Sequence, residues 1–123
     1  MGRRVQRTRA GETWTESRYF GFIRSALRSA FNRYPPKYQA KKAACRPKKG
    51  HKRYEYQCAD CKKWFPNNAV QVDHINPAGS LKTFEELPGF CERLFCEPED
   101  LQVLCKPCHQ VKTNKEREAR KNG

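Results

Sequence analysis

The chain has 123 residues, of which 32% are charged, and carries a formal net charge of +13. This length fits one domain with an arm, and a chain so short buries too small a fraction of its surface to do without a staple. No run of about 18 apolar residues occurs and MGRRVQRTRA lacks the apolar centre of a signal peptide, so the sequence argues against a membrane span or secretion and for a cytoplasmic protein.

The charge is uneven. Residues 1–53 hold 16 Lys and Arg against only Glu12 and Glu16, giving +14, whereas residues 54–123 hold 10 against 11 Asp and Glu, giving −1. Such asymmetry is the footprint of a polyanion binder, nucleic acid first and an acidic membrane surface second. The chain accordingly divides at residue 53 into a basic, mainly helical arm, 1–53, and a second domain, 54–123.

From Thr13 the apolar residues Tyr19, Phe20, Phe22, Ile23, Ala26, Leu27, Ala30, Phe31 and Tyr34 recur at steps of three and four and predict a helix. Thr13 with Glu16 reads as its capping box, and Pro35-Pro36 as its stop. Arg24 and Arg28 lie one turn apart on the opposite face, pointing outward. The segment 37–53 is lysine-rich, with a short helix before Pro47 and a turn at Gly50, and is expected to be a mobile DNA-contacting linker. Lys37, Lys41, Lys42, Lys48, Lys49, Lys52 and Arg53, with Arg24 and Arg28, are the candidate phosphate contacts.

Tyr54 to Cys58 and Lys62 to Phe65 flank a CxxC as a hairpin, and AVQVDHI reads as a strand from its β-branched residues and alternation. NPAGS breaks it. A helix is expected over Thr83 to Phe95, a strand over Leu101 to Leu104, and then a polar helix from about His109 to Arg120, with Pro107 at its first turn and Lys112, Glu116 and Arg120 spaced four apart. The fold class is therefore α+β.

Seven cysteines, an odd number, fit metal ligation in a reducing compartment better than a disulfide framework. Cys58, Cys61, Cys105 and Cys108 form two CxxC pairs with 43 residues between them. Two such turns present four thiolates to a tetrahedral Zn2+, a structural site that would lock the hairpin to the start of the last helix. Cys45, Cys91 and Cys96 are left as small buried hydrophobes. With zinc joining the two turns, Asp73 and His74 at the end of one strand come near His109 at the start of the helix; strict alternation would send Asp73 and His74 to opposite faces, so the strand is expected to end or twist there, as Asn76-Pro77 and Gly79 allow.

VDHINPAG followed by DLQVLCKPCHQVKT resembles the HNH endonuclease family, in the zinc-stapled ββα-metal form common in bacteriophages and bacterial restriction systems. The match runs from about Tyr56 to Glu118; the helix RYFGFIRSALRSAFNR and the lysines after it are similar to the N-terminal part of small phage HNH proteins. The resemblance implies a ββα-metal core, preceded by the basic arm, that hydrolyses phosphodiester bonds of double-stranded DNA as an endonuclease or nickase. It implies that Asp73 and His109 bind a catalytic divalent ion, Mg2+, Mn2+ or another, that His74 is the general base, and that the four cysteines hold the structural zinc. The family's middle Asn falls at Asp100, a departure, since an ionised Asp only accepts hydrogen bonds; Asp100 or Asn76 is then left to fix the loop. Lys112 is a candidate to neutralise the phosphate or a solvated helix charge. A phage homing role and association with phage packaging machinery in an infected bacterial cytoplasm are both compatible, a monomer is favoured, and the alternative function is a zinc-ribbon nucleic-acid-binding module without cleavage.

Overall fold

The computed structural model describes residues 5–50 and 53–122. The protein is α+β, with four helices and two small sheets. It forms two compact units that alternate along the chain, one from residues up to Tyr34 with Asn76–Cys96, the other from Pro35–Ile75 with the residues from Glu97 onward. The charge boundary at residue 53 falls inside the second unit. No helix among the described residues is long and apolar enough to cross a membrane.

In the first unit α1 spans Glu16–Phe31. Its cap is Thr15 rather than the expected Thr13, with the Thr15 hydroxyl oxygen accepting the Arg18 N–H at 3.2 Å. The reason lies just upstream. Arg9 and Trp14 exchange backbone hydrogen bonds of 3.1 and 3.0 Å across a turn in which Ala10, Gly11 and Glu12 all have φ between 55° and 66°, so helical backbone cannot begin before that turn closes. Thr13 is used inside the turn, donating to Ala10 O at 2.7 Å, and Glu16 takes Arg9 Nε at 2.7 Å. The apolar stripe packs against a second helix, α3, Leu87–Leu94, which a one-turn 3-10 segment at Phe84–Glu86 precedes with its own Thr83/Glu86 capping box. Pro88 is tolerated because it lies in the first turn of α3, where its missing N–H is no loss. Phe20, Phe31, Leu81, Phe90 and Leu94 form the core, and Phe20 meets Phe84 edge-on with centroids 4.9 Å apart.

The second unit opens with α2, Pro35–Ala43. Pro35 and Pro36 do not merely stop α1, which has already ended at Phe31; they occupy the first turn of a new helix. Strand β1, Cys45–Pro47, then pairs antiparallel with β2, Tyr54–Gln57, and β2 with β3, Trp64–Pro66, in the order β1-β2-β3. Residues 37–47 are thus ordered helix and strand and not a linker: α2 packs on β5, Leu101–Cys105, and Arg46 pairs across the strands with Glu55. Lys52 lies outside the described residues.

Strand β4, Val70–His74, pairs antiparallel with β5 in a register that sets Asp73 opposite Gln102 and His74 opposite Leu101. Strand β5 passes without a break into α4, Lys106–Asn122. The core here is Val70, Leu101, Val103 and Leu104, beside Cys58 and Cys105. Replacing Thr15 with Ala should cost about 1 kcal/mol, the usual worth of an N-cap, in urea unfolding followed by circular dichroism. An unchanged midpoint would show that α1 starts elsewhere.

Candidate functional site

One turn and one junction carry the four clustered cysteines. The β2–β3 connection is closed by Cys58 N–H to Lys63 O at 2.9 Å and Lys62 N–H to Cys58 O at 3.0 Å, with Lys62 in the left-handed region at φ 65°. It is tied to β5 by Ala59 N–H to Val103 O at 2.8 Å, so Cys58 and Cys61 are held against the strand that ends in Cys105. One helical turn later α4 supplies Cys108. The sulfurs of Cys58, Cys61, Cys105 and Cys108 all lie within 4.8 Å of one another, and those of Cys61 and Cys105 are 3.9 Å apart.

The fit to a metal ion rests on two observations. Four sulfurs at 2.3 Å from a tetrahedral zinc sit about 3.8 Å apart along each edge, close to the spacing found. The second is electrostatic. Burial works to raise the Cys58 thiol, but the backbone N–H groups of Cys105, Cys61 and Asp60 together outweigh it and bring Cys58 down to about 6. Cys108 is pushed up by the Cys105 side chain and then by burial, and Cys105 by burial above all. One thiolate is therefore favoured and further ones are disfavoured, which is how clustered thiols behave until a cation offsets their charge. These four cysteines are placed to bind a metal ion, with zinc the ion that a four-thiolate set suits. Cys45, Cys91 and Cys96 stand apart from the cluster, half-buried and so less buried than expected.

A second polar group gathers on the α4 side of β4. Asp73 Oδ1 lies 3.4 Å from His109 Nε2, while Asp73 Oδ2 accepts from Gln102 Nε2 at 3.0 Å and pairs with Lys112 Nζ at 3.1 Å. Lys112 also donates to the backbone oxygen of His74 at 2.9 Å and to Glu116 Oε1. Lys112 is thus no solvated helix charge. Burial works to lower it, and Glu116 and Asp73 outweigh that, leaving its ammonium above the ordinary value. His74 is half-buried at the last position of β4, directly after Asp73.

Asp100 ends the 3-10 turn that leads into β5, and its main chain does the fixing: the Asp100 oxygen accepts from Ile75 N–H at 3.0 Å, and its N–H donates to Glu97 O at 3.0 Å. Its side chain is exposed and forms no hydrogen bond among the described residues. Gln102 and Glu116 were not anticipated as parts of this group. Glu116 was visible as the residue one turn beyond Lys112, but Gln102 required the strand register.

The basic candidates are distributed over both units. Arg24 and Arg28 are on α1; Arg24 is half-buried, not outward as expected, and its Nε is buried with no hydrogen-bond partner among the described residues. Lys37, Lys41 and Lys42 are on α2, and Lys48, Lys49 and Arg53 are exposed around the β1–β2 turn. No protein-family model, curated protein or solved structure matches the chain.

Replacing Cys105 with Ser should lower bound zinc, measured by elemental analysis, to below half an equivalent per chain and abolish cooperative unfolding of its unit, because structural zinc contributes roughly 10 kcal/mol or more to folding. Cys91→Ser should leave both unchanged. Equal metal content in the two variants would contradict the assignment of ligands.

Proposed function

We propose that the chain is an HNH-type endonuclease or nickase that hydrolyses phosphodiester bonds of double-stranded DNA with the help of a divalent ion. The observation that carries this reading is the approach of Asp73 Oδ1 to His109 Nε2, 3.4 Å, with His74 adjacent in the same strand. The antiparallel pair β4–β5 running directly into α4 has the element order that a ββα-metal core requires, which supports the resemblance carried by VDHINPAG and DLQVLCKPCHQVKT.

Asp73 divides its carboxylate. Oδ2 is taken by Gln102 and Lys112, so Oδ1 and His109 Nε2 form the open pair. Neighbouring ligands on an ion with bonds of about 2.1 Å stand roughly 3 Å apart, so Asp73 Oδ1 and His109 Nε2 would be the residues that hold Mg2+ or Mn2+. Such an ion, when bound, supplies a positive charge against the negative charge developing on the phosphoryl oxygens.

In this reading His74 removes the proton from the attacking water. A positioned base contributes ~10²–10⁴-fold, far short of the ~10¹⁷-fold at the top of the typical enzymatic range, so electrostatic stabilisation by the surrounding groups carries most of the acceleration. Lys112 is already held at the site and, by moving from Asp73 to the phosphate, would add to it. The second reading, a zinc-ribbon module that binds nucleic acid without cutting it, is favoured by the exposed carboxylate of Asp100, which makes no hydrogen bond among the described residues where the family pattern has an Asn.

Incubation with supercoiled plasmid separates the two readings. The nuclease reading expects nicked or linear product when Mg2+ or Mn2+ is added and none without it; persistent lack of cutting with either ion would favour the binding module. His74→Ala should slow cleavage by at least ~10²-fold while Mn2+ affinity stays unchanged. Asp73→Ala and His109→Ala should instead weaken Mn2+ binding in calorimetry, and equal loss in all three variants would contradict this division of roles.

Duplex affinity should fall with log salt at a slope near −5 if about six basic side chains meet phosphates, and replacing Lys48, Lys49 and Arg53 together by Ala should flatten it by roughly 2.7. An unchanged slope would move the phosphate contacts away from the β1–β2 turn.

A further inference from the structure

Beside the open end of the three-stranded sheet lies a cleft of about 550 Å³ that neither the sulfur cluster nor the Asp73–His109 pair uses. That volume is in the range of small-ligand pockets. Lys48 and Arg53 form one wall, brought together by the Lys48 N–H to Arg53 O hydrogen bond of 2.9 Å that closes the β1–β2 turn. Tyr54, Tyr56 and Trp64 supply rings, and Asn67 supplies an amide where β3 ends.

Two of the rings already have cations against them. Arg46 lies 3.7 Å from the Trp64 centroid and Lys41 Nζ lies 5.2 Å from that of Tyr56. Tyr54 is different: it is 55% exposed, and neither a ring nor a cation among the described residues covers it. The one acid in the lining, Glu55, is held by Arg46 Nε at 2.6 Å, so the charge left open at the cleft is positive. An exposed ring that lines one cleft with cations and an amide is the arrangement that holds an unpaired base and its phosphate; every base offers a π-face, and stacking on an aromatic side chain is tolerant of sequence. A paired base keeps that face inside the duplex, and an apolar peptide would leave Lys48 and Arg53 unused.

We propose that this cleft binds an unpaired nucleotide of a nucleic-acid strand, with its base stacked on Tyr54 and its phosphate held by Lys48 and Arg53. This goes beyond cleavage of duplex DNA and does not rest on it, since binding is read without any cutting. The test is fluorescence anisotropy of the full chain with a labelled ten-nucleotide oligodeoxythymidylate and with an abasic strand of the same length, no divalent ion being added. The base-bearing strand should bind more tightly than the abasic one. Tyr54→Ala should weaken it roughly 5- to 150-fold, the range for one stacked base, and leave the abasic strand unchanged, while Tyr54→Phe should retain tight binding. Thermal melts of the two Tyr54 variants exclude unfolding as the cause. An oligouridylate distinguishes RNA from DNA as the source of the strand, and Tyr54-dependent binding of either supports the site. Equal affinities of the wild-type chain for base-bearing and abasic strands, or an unchanged affinity in Tyr54→Ala, would overturn it.

Discussion

Four sulfurs within 4.8 Å of one another join the β2–β3 turn to the point where β5 becomes α4, and the geometry of the second unit follows from that junction. Cys105 is the last residue of β5 and Cys108 lies in the first turn of α4, so holding both fixes where the helix starts and which way its first turn faces. His109 is the next residue. Because β4 is registered on β5, the same constraint brings Asp73 opposite Gln102 and within 3.4 Å of the His109 ring. The cluster is placed to bind a cation, which would offset the repulsion that a second and third thiolate beside Cys58 would suffer.

Around Asp73 the chain has solved a different electrostatic problem. A carboxylate with a side chain only 11% exposed requires partners, and it has an amide at Gln102 and an ammonium at Lys112. Lys112 is in turn held by Glu116 and by the His74 carbonyl, so strand β4 and helix α4 are bridged through one nitrogen. Losing one member of such a group leaves another charge inadequately compensated. The arrangement therefore occupies Oδ2 and turns Oδ1 to the His109 ring, and this asymmetry underlies the proposed division between holding a metal ion through Oδ1 and assisting at the phosphate through Lys112.

The lysines between the two units' helical parts belong to structure. Helix α2 packs on β5 and strand β1 completes a sheet, so Lys41, Lys48 and Arg53 occupy defined positions near rings instead of sampling a linker's conformations. Lys41 is half-buried, and burial followed by the neighbouring Lys37 charge pushes it below its ordinary value. Phosphate contacts made from such a surface lose less conformational entropy on binding than those made from a mobile tail.

The sequence alone determined the α+β class, the hairpin around Cys58 and Cys61, the strands at AVQVDHI and LQVL, the helix after Pro107, and the grouping of four cysteines. Each of these depends on spacing or alternation within a few residues, or on ligand chemistry that tolerates a long intervening segment. Tertiary structure decided what depends on distant partners. The cap moved from Thr13 to Thr15 because the Arg9–Trp14 turn claimed Thr13, and the lysine-rich segment, whose short helix the sequence did anticipate, is held as α2 and β1 instead of a mobile linker because β5 and β2 offered surfaces to pack on. Gln102 joined Asp73 through a strand register that no local pattern specifies. The separation of Asp73 Oδ1 from His109 Nε2, and the cleft beside Tyr54, likewise exist only once residues tens of positions apart have been brought together, because a side chain's reach is a few ångströms and the sequence records only its order along the chain.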